Sequence, residues 1–143
     1  MRQEMYSENR ELKEVKIADL TPRTRWFKVT FKVLNVGEER NVMSKRDSME
    51  HRVADVLVGD ETGTVIFSAW DSDIERMKDL VGETVTLNNG YVSLFRGSLR
   101  LSLGKYGSIE PANENIDQVN IENNMSEKEF PQETRYRRYR RYY

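Results

Sequence analysis

Cysteine is absent from the 143 residues, which excludes disulfide bonds and any metal or redox site built on thiolates. Long apolar runs are also absent, and no stretch approaches the ~20 residues that a helix needs to span a bilayer. The first segment, Met1–Glu14, is charged throughout and lacks the apolar core of a signal peptide. We therefore expect a soluble, intracellular protein with no membrane partner.

The residue combinations that carry catalysis are missing as well. The single histidine, His51, lies in or beside a polar loop with no cysteine to join it in a metal site. Asp60 and Glu61 are predicted to belong to a turn, and Asp71 and Glu75 to the start of a helix. No glycine-rich phosphate loop or activated nucleophile appears. The sequence predicts no enzyme, no metal and no cofactor.

Charge is unevenly distributed along the chain, although the formal net charge is only −1. Residues 113–133 contain six acidic residues and one lysine, whereas residues 135–143 contain five arginines and no acid. Both segments are too polar to sustain a packed core. We predict a flexible N-terminal arm over residues 1–14, one folded domain over residues 15–109, and a disordered tail over residues 110–143, acidic first and then rich in Arg and Tyr.

A hairpin organises the folded domain. An apolar run ending at Val58 is followed by Gly59-Asp60-Glu61-Thr62-Gly63 and then by a second apolar run that ends at Trp70. The side chain of Asp60 can accept a hydrogen bond from the backbone two residues on, and Gly63 is expected to supply a positive φ. Two runs rich in Val, Ile and Phe around such a turn predict paired strands.

Alternation and turn residues place the remaining elements. Residues 26–36 alternate, with Phe27, Val29, Phe31 and Val33 on one face and Trp26, Lys28, Thr30 and Lys32 on the other. The predicted elements that follow are a long mobile hairpin loop over 37–50, strands over 53–58 and 64–71, a short helix from 72 to about 81, and strands over 84–88, 91–96 and 99–103. A capping box, Ser72 with Glu75, and a terminal Gly82 mark the helix ends.

Five strands with a helix between the third and the fourth form the plan of the OB-fold, a partly open five-stranded barrel. On the third strand, Val65, Phe67 and Ala69 are predicted to face the core, which turns Trp70 outward. On the fourth strand, Tyr91 and Phe95 share the outward parity. Outward aromatics on two separate strands predict a platform for stacking nucleic-acid bases. The alternative is that these rings are ordinary barrel residues covered by a loop or by the tail.

Four features together resemble the archaeal single-stranded DNA-binding proteins with a single OB-fold: the turn sequence 58–63, the strand-final Trp70, Tyr91, and Phe95-Arg96-Gly97. They are also similar to the human single-stranded DNA-binding proteins and to the OB domains of replication protein A. The resemblance extends from about Leu20 to Gly107. It implies sequence-tolerant binding of single-stranded DNA, protecting exposed strands in replication, repair or recombination, in the cytoplasm and associated with the nucleoid.

When the base-stacking positions of the family are carried over to this sequence, the resemblance assigns them to Trp70, Tyr91 and Phe95. Tyr91 stands where the family often has tryptophan. Val53 falls where an apolar contact on the second strand is expected. The candidate contacts to phosphates are Lys28, Lys32, Arg52, Arg96 and Arg100.

Three questions stay open at this point. Stacking does not read the sugar, so single-stranded RNA is an alternative ligand. The acidic part of the tail is either a competitor that folds back onto the binding face or a solubilising segment. The Arg/Tyr part either adds nucleic-acid contacts or recruits replication or repair proteins. A separate alternative is that the barrel is an adaptor whose main ligand is a protein, bound through the tail.

Overall fold

The computed structural model describes residues 11–128, which form an all-β domain with one α-helix. The strands in this region are β1 (Lys13–Val15), β2 (Phe27–Val36), β3 (Arg40–Met43), β4 (Glu50–Asp60), β5 (Gly63–Trp70), β6 (Thr84–Asn88), β7 (Tyr91–Phe95), β8 (Ser98–Ser102) and β9 (Ser108–Pro111). Helix α1 spans Ser72–Asp79, and 3-10 turns span Ile17–Asp19 and Met125–Glu127. No helix among the described residues has the length and apolarity to cross a bilayer.

The strands form one strongly curled sheet in the order β7-β8-β5-β4-β2-β6-β9. Strands β6 and β7 lie far apart in that order, yet only Asn89 and Gly90 separate them in the chain. They are therefore two halves of one bent strand, and the sheet curls around its own core. With β6 and β7 counted together, β2, β4, β5, β6/β7 and β8 are the five predicted strands, and α1 lies between the third and the fourth. The predicted OB-fold is confirmed.

The core follows the predicted alternation. Phe27, Val29, Phe31 and Val33 of β2 are fully buried. Val65, Phe67 and Ala69 of β5 are buried as well, which confirms the inward face assigned to that strand. Ile74 and Met77 of α1 close one end of the barrel. Each large side chain buried in this way stabilises the fold by roughly 1.5–3 kcal/mol relative to its exposed state.

The β4–β5 turn forms as predicted at Asp60 but not at Gly63. The carboxylate Oδ1 of Asp60 accepts the Thr62 N–H at 2.8 Å, and its Oδ2 accepts the N–H of Ile17 at 3.0 Å. Gly63 has no positive φ and lies in extended β5. A Cβ atom there would lie 2.6 Å from the carbonyl oxygen of Asn123. The glycine is therefore required by close packing rather than by turn geometry.

Helix α1 begins and ends differently from the prediction. Its N-cap is Asp71, with a φ of 52°, and Ser72 is the first helical residue, so the predicted capping box does not form. Leu80 is the C-cap, and Gly82 follows with a φ of +90°, donating its N–H to the carbonyl of Val33 at 2.7 Å.

The hairpin loop predicted to be mobile over residues 37–50 is ordered by strand pairing. Strand β3 pairs with the first residues of β4, with Arg40 opposite Val53 and Met43 opposite Glu50. The Ser44 N–H donates to the carbonyl of Met49 at 2.9 Å and closes the turn between them. Backbone pairing needs no apolar side chains, which explains why the polar composition misled the prediction.

The ordered domain extends beyond the predicted boundaries at both ends. Strand β1 pairs in parallel with β2, although its first two residues fall within the predicted arm. Residues 112–128, which we call the strap, pack along the barrel, and its residues Ile116, Met125 and Ser126 are at most 8% exposed. The structure thus differs from the predicted disorder over residues 110–128. Residues 1–10 and 129–143 lie outside the described part of the chain.

Candidate nucleic-acid interface

The three predicted stacking residues lie on one outward surface of β5, β8 and β7. Trp70, Tyr91 and Phe95 are 41%, 55% and 49% exposed. Ser102 of β8 is the cross-strand partner of both Tyr91 on β7 and Ser68 on β5, and Trp70 lies two residues beyond Ser68. Side chains that are directly opposite in a ladder project from the same side of the sheet. We call this surface the aromatic face.

Strand geometry sets the dimensions of the aromatic face. Tyr91 and Phe95 are four residues apart on one strand, which corresponds to about 13 Å. Strands β5 and β7 are separated by β8, so the indole of Trp70 lies about 10 Å across the sheet from β7. The three rings therefore mark a surface wide enough for several nucleotides rather than a pocket for one.

Two guanidinium groups lie against the ring of Phe95. The Cζ atoms of Arg96 and Arg100 are 5.1 and 5.3 Å from the ring centroid, within the range of cation–π attraction. Arg96 and Gly97 form the two-residue turn between β7 and β8, with φ values of 55° and 84°. Arg100 also donates to the Asp55 carboxylate at 3.3 Å, which neutralises its charge locally. A planar guanidinium is itself a stacking surface for a base.

At the other end of the aromatic face, an unpredicted residue supports Trp70. The imidazole of His51 lies edge-on to the indole, and its Nδ1 and Nε2 atoms contact the carboxylates of Asp71 and Asp47 at 2.8 and 2.9 Å. The hydrogen bond to Asp47, followed by that to Asp71, raises the pKa of His51 above its ordinary value. The sequence suggested an isolated surface histidine. Asp47 lies four residues away and was the only signal available, since Asp71 is distant in the chain.

Val53 lies directly opposite Trp70 in the β4–β5 ladder. It is only 3% exposed, although it faces outward and lies outside the apolar core cluster. Its position beside the indole gives it a supporting role, and it offers almost no surface to a ligand. The predicted apolar contact at this position is therefore with the neighbouring protein side chains.

The five predicted phosphate contacts do not converge. Only Arg96 and Arg100 share the aromatic face. The guanidinium of Arg52 is bound in a bidentate pair to Glu75 at 2.8 and 3.1 Å, on the opposite side of β4 from Val53. Lys28 and Lys32 lie on β2 opposite Asn88 and Thr84 of β6. Strand β4 separates β2 from β5, and Lys28 lines a groove with the acidic residues Glu14, Glu110 and Glu114.

The side chains that could ligate a metal ion are dispersed over the described residues 11–128. In that range, no group of three or more His, Asp or Glu side chains is arranged to hold a metal ion. The His51–Asp47–Asp71 cluster is satisfied by its own hydrogen bonds and orients side chains around Trp70.

Comparison with known proteins agrees with this architecture. Residues 20–111 match the family model described as "Single-stranded DNA binding protein Ssb-like, OB fold". The chain is 33% identical over 124 residues to an uncharacterised protein of Arabidopsis thaliana, covering 81% of this chain and 80% of that protein. It is 30% identical over 101 residues to the single-stranded DNA binding protein Ssb of Saccharolobus solfataricus, covering 71% of this chain and 66% of that protein.

A solved structure resembles the whole domain. The solution structure of a hypothetical protein from Arabidopsis thaliana superimposes with a TM-score of 0.66 at 32% sequence identity, covering 82% of this chain and 86% of that one. The matched fold, the length of the family match and the identity to these relatives lead to one conclusion: the chain belongs to the Ssb-like family of OB-fold single-stranded DNA-binding proteins.

Proposed function

We propose that this protein binds single-stranded DNA without sequence preference, by stacking bases on Trp70, Tyr91 and Phe95. The observation that carries the proposal is the outward exposure of three large aromatic rings on one face of the sheet, one on β5 and two on β7. Clustered exposed apolar surface is typical of interaction sites, because otherwise it is unfavourable in water. Stacking contributes roughly 1–3 kcal/mol per base and tolerates every base, since each has a π-face.

The biological setting follows from the same proposal. A single barrel that binds any exposed strand is suited to protecting strands during replication, repair or recombination, as a non-enzymatic protein in the cytoplasm and nucleoid. The name of the Saccharolobus relative supports DNA as the ligand. We also propose that the protein is of the same type as the archaeal single-stranded DNA-binding proteins with one barrel and that it is related to the human ones. One barrel covers about 4–16 nucleotides, so many copies would coat a long strand.

Tryptophan fluorescence during titration with oligo-dT tests the proposal. We expect strong quenching by the single strand, little by duplex DNA, and weaker binding as salt increases. The chain contains a second tryptophan, Trp26, so the Trp70→Phe variant is needed to assign the signal. Absence of quenching in the parent protein, or equal quenching in Trp70→Phe, would show that the indole of Trp70 is not a stacking site.

Affinity measurements separate stacking from alternative functions. Trp70→Ala should weaken binding to oligo-dT roughly 5- to 150-fold, the equivalent of 1–3 kcal/mol. An adaptor that binds proteins through its tail would keep its function in this variant. Competition between oligo-dT and oligo-U of equal length decides between DNA and RNA, because stacking alone does not distinguish the two sugars.

A further inference from the structure

A row of outward residues crosses the centre of the aromatic face. Asp55 of β4 is the ladder partner of Ser68 of β5. Ser68 pairs in turn with Ser102 of β8, whose other partner is Tyr91 of β7. Side chains that are directly opposite in a ladder project from the same side of the sheet. A carboxylate therefore lies within the surface on which we propose that bases stack.

Two arginines meet at this carboxylate. The Oδ1 atom of Asp55 accepts Nη1 of Arg100 at 3.3 Å, and it accepts Nη1 and Nη2 of Arg40 at 3.4 and 3.5 Å. Arg100 reaches Asp55 from β8, across β5, whereas Arg40 reaches it from β3 at the other edge of β4. We call these three side chains the Arg–Asp–Arg triad. Because one carboxylate faces two guanidinium groups, the triad has a net charge of +1.

Both arginines of the triad are placed by the aromatic face. The guanidinium of Arg100 lies against the ring of Phe95, with its Cζ atom 5.3 Å from the centroid. Arg40 is the ladder partner of Val53, and Val53 is that of Trp70, so Arg40 and the indole belong to one cross-strand row. The triad thus extends from the row of Trp70 to the ring of Phe95, which are opposite ends of the aromatic face.

The ion pairs of the triad are weaker than others in the barrel. All three contacts are longer than an ordinary hydrogen bond and fall on one oxygen, and Oδ2 of Asp55 has no hydrogen-bond partner among residues 11–128. In contrast, Arg52 contacts both oxygens of Glu75 at 2.8 and 3.1 Å. The side chains of Arg40 and Asp55 are also 48% and 36% exposed. Ion pairs this accessible contribute little to stability, so an incoming phosphate can replace the carboxylate.

We propose that Arg40 and Arg100 are the phosphate-binding pair of the aromatic face and that Asp55 is a competitor built into it. In the free protein, the carboxylate of Asp55 holds the two guanidinium groups. In the complex, a phosphodiester group accepts their hydrogen bonds, and the nearby charge of Asp55 repels it and favours release. The ligand is the backbone of single-stranded nucleic acid. The inference rests on the proposed function, because it assigns the phosphate contacts of a strand whose bases stack on the same face.

The test measures the Kd for oligo-dT from low to high salt with single substitutions in the full chain. One phosphate contact to a single strand contributes about 0.7 to the slope of log affinity against log salt, which we call the salt slope. Arg40→Gln should lose that amount and bind about 3-fold more weakly at low salt, as expected for one charge acting at 5–6 Å through water. Arg40→Lys keeps the charge and should keep most of the slope.

Asp55→Asn tests the competitor. The amide has the same shape as the carboxylate and still offers an oxygen to both arginines, so only the negative charge is removed. This variant should bind oligo-dT about 3-fold more tightly than the parent at low salt. Binding that is unchanged or weaker would overturn the competing role of Asp55.

The Arg52–Glu75 pair, on the opposite side of β4 from Val53, provides matched controls. Arg52→Gln changes the net charge as Arg40→Gln does, and Glu75→Gln changes it as Asp55→Asn does. Both control variants should leave the Kd and the salt slope unchanged. Equal effects within either matched pair would mean that the total charge of the barrel acts, and the proposed site would be rejected.

The outcomes separate this inference from the proposed function. If the parent protein does not bind oligo-dT, the stacking proposal itself fails. If the parent binds and its Trp70 fluorescence is quenched, while Arg40→Gln has the same slope and affinity as the parent, only the phosphate-binding pair is overturned.

Discussion

The imidazole of His51 meets the indole of Trp70 edge-on, with ring centroids 6.4 Å apart and ring planes inclined at 81°. The histidine is held on both sides, by Asp47 of the β3–β4 turn and by Asp71 at the start of α1. Asp71 also accepts the Arg52 N–H at 3.0 Å. A hairpin, a strand and a helix are therefore connected at one end of the aromatic face through a single titratable ring.

This arrangement predicts a pH-dependent stability. Hydrogen bonds that the imidazole donates to the carboxylates of Asp47 and Asp71 raise the folded pKa of His51 above 6.5, so its stabilising effect is complete below pH 6.5 and is lost as pH rises through the raised value. The melting temperatures of the parent and of His51→Gln should therefore differ most near pH 6 and converge in alkaline solution. Thermal unfolding followed by circular dichroism at a series of pH values measures this. A difference that stays constant with pH would contradict it.

The His51–Asp47–Asp71 cluster also makes the stability of the protein decrease in acid. The pKa of Asp71 is lowered, first by the Arg52 N–H and then by His51, and that of Asp47 is lowered first by the Met49 N–H. Their stabilising contribution is present above their ordinary pKa of 3.8 and is lost as pH falls through the lowered values. The difference between the parent and His51→Gln should thus shrink again in strong acid.

Two arginines with different surroundings provide a matched pair of variants. Arg96 lies on the aromatic face beside Phe95, whereas Arg52 is bound to Glu75 and Glu39 on another surface. Arg96→Gln should weaken oligo-dT binding and remove about 0.7 from the salt slope, the value of one phosphate contact. Arg52→Gln should leave both quantities unchanged. An equal loss in the two variants would indicate a general charge effect instead of a contact.

Ser126 is predicted to stabilise the barrel. Its hydroxyl joins the Ile66 N–H of β5 to the Leu99 carbonyl of β8, and the residue is 8% exposed. Ser126→Ala leaves both backbone groups without this partner and should lower the free energy of unfolding by about 1–3 kcal/mol. Ser108→Ala, at an exposed position of β9, is the control and should change it by less than about 0.5 kcal/mol. Urea unfolding distinguishes the two; equal stabilities would refute the bridging role.

Gly63 should be intolerant of a side chain. A Cβ atom there would meet the Asn123 carbonyl oxygen at 2.6 Å, and this backbone atom cannot rotate away. Gly63→Ala should destabilise the protein by about 1–3 kcal/mol through overpacking, as measured by urea unfolding. At Gly37 the nearest atom would be the Asp55 carbonyl oxygen at 3.1 Å, so Gly37→Ala should be the milder change. The reverse order would show that the strap shifts away from β5 at little cost.

Local patterns were sufficient for most of the fold. Alternation in β2 and β5 identified the core faces, and with them the outward direction of Trp70, because strand periodicity depends only on neighbouring residues. The Asp60 turn was equally local. Contacts between distant residues were not predictable in this way. Gly63 is constrained by Asn123, and Arg52 is occupied by Glu75, neither of which has a signature near its partner.

The strap is a clearer example of contacts between distant residues that local sequence patterns do not predict. Its composition is poor in apolar residues, so it was predicted to be disordered. It is held by polar contacts, including the side-chain N–H of Asn123 to the Thr62 carbonyl at 2.9 Å and the Ile66 N–H to the Ser126 hydroxyl at 2.9 Å. Asn and Ser side chains form such hydrogen bonds in loops as readily as with water, and composition does not distinguish the two states.

The strap also has a consequence for biosynthesis. A nascent chain that has emerged as far as Pro111 already contains every strand of the described domain, yet it lacks Ser126, which joins β5 to β8. The ribosome must deliver about fifteen further residues, those up to Ser126, before this junction can form. We expect the barrel to reach its full stability only at that late stage of translation, and until then β5 and β8 are joined by their own backbone pairing without the Ser126 bridge.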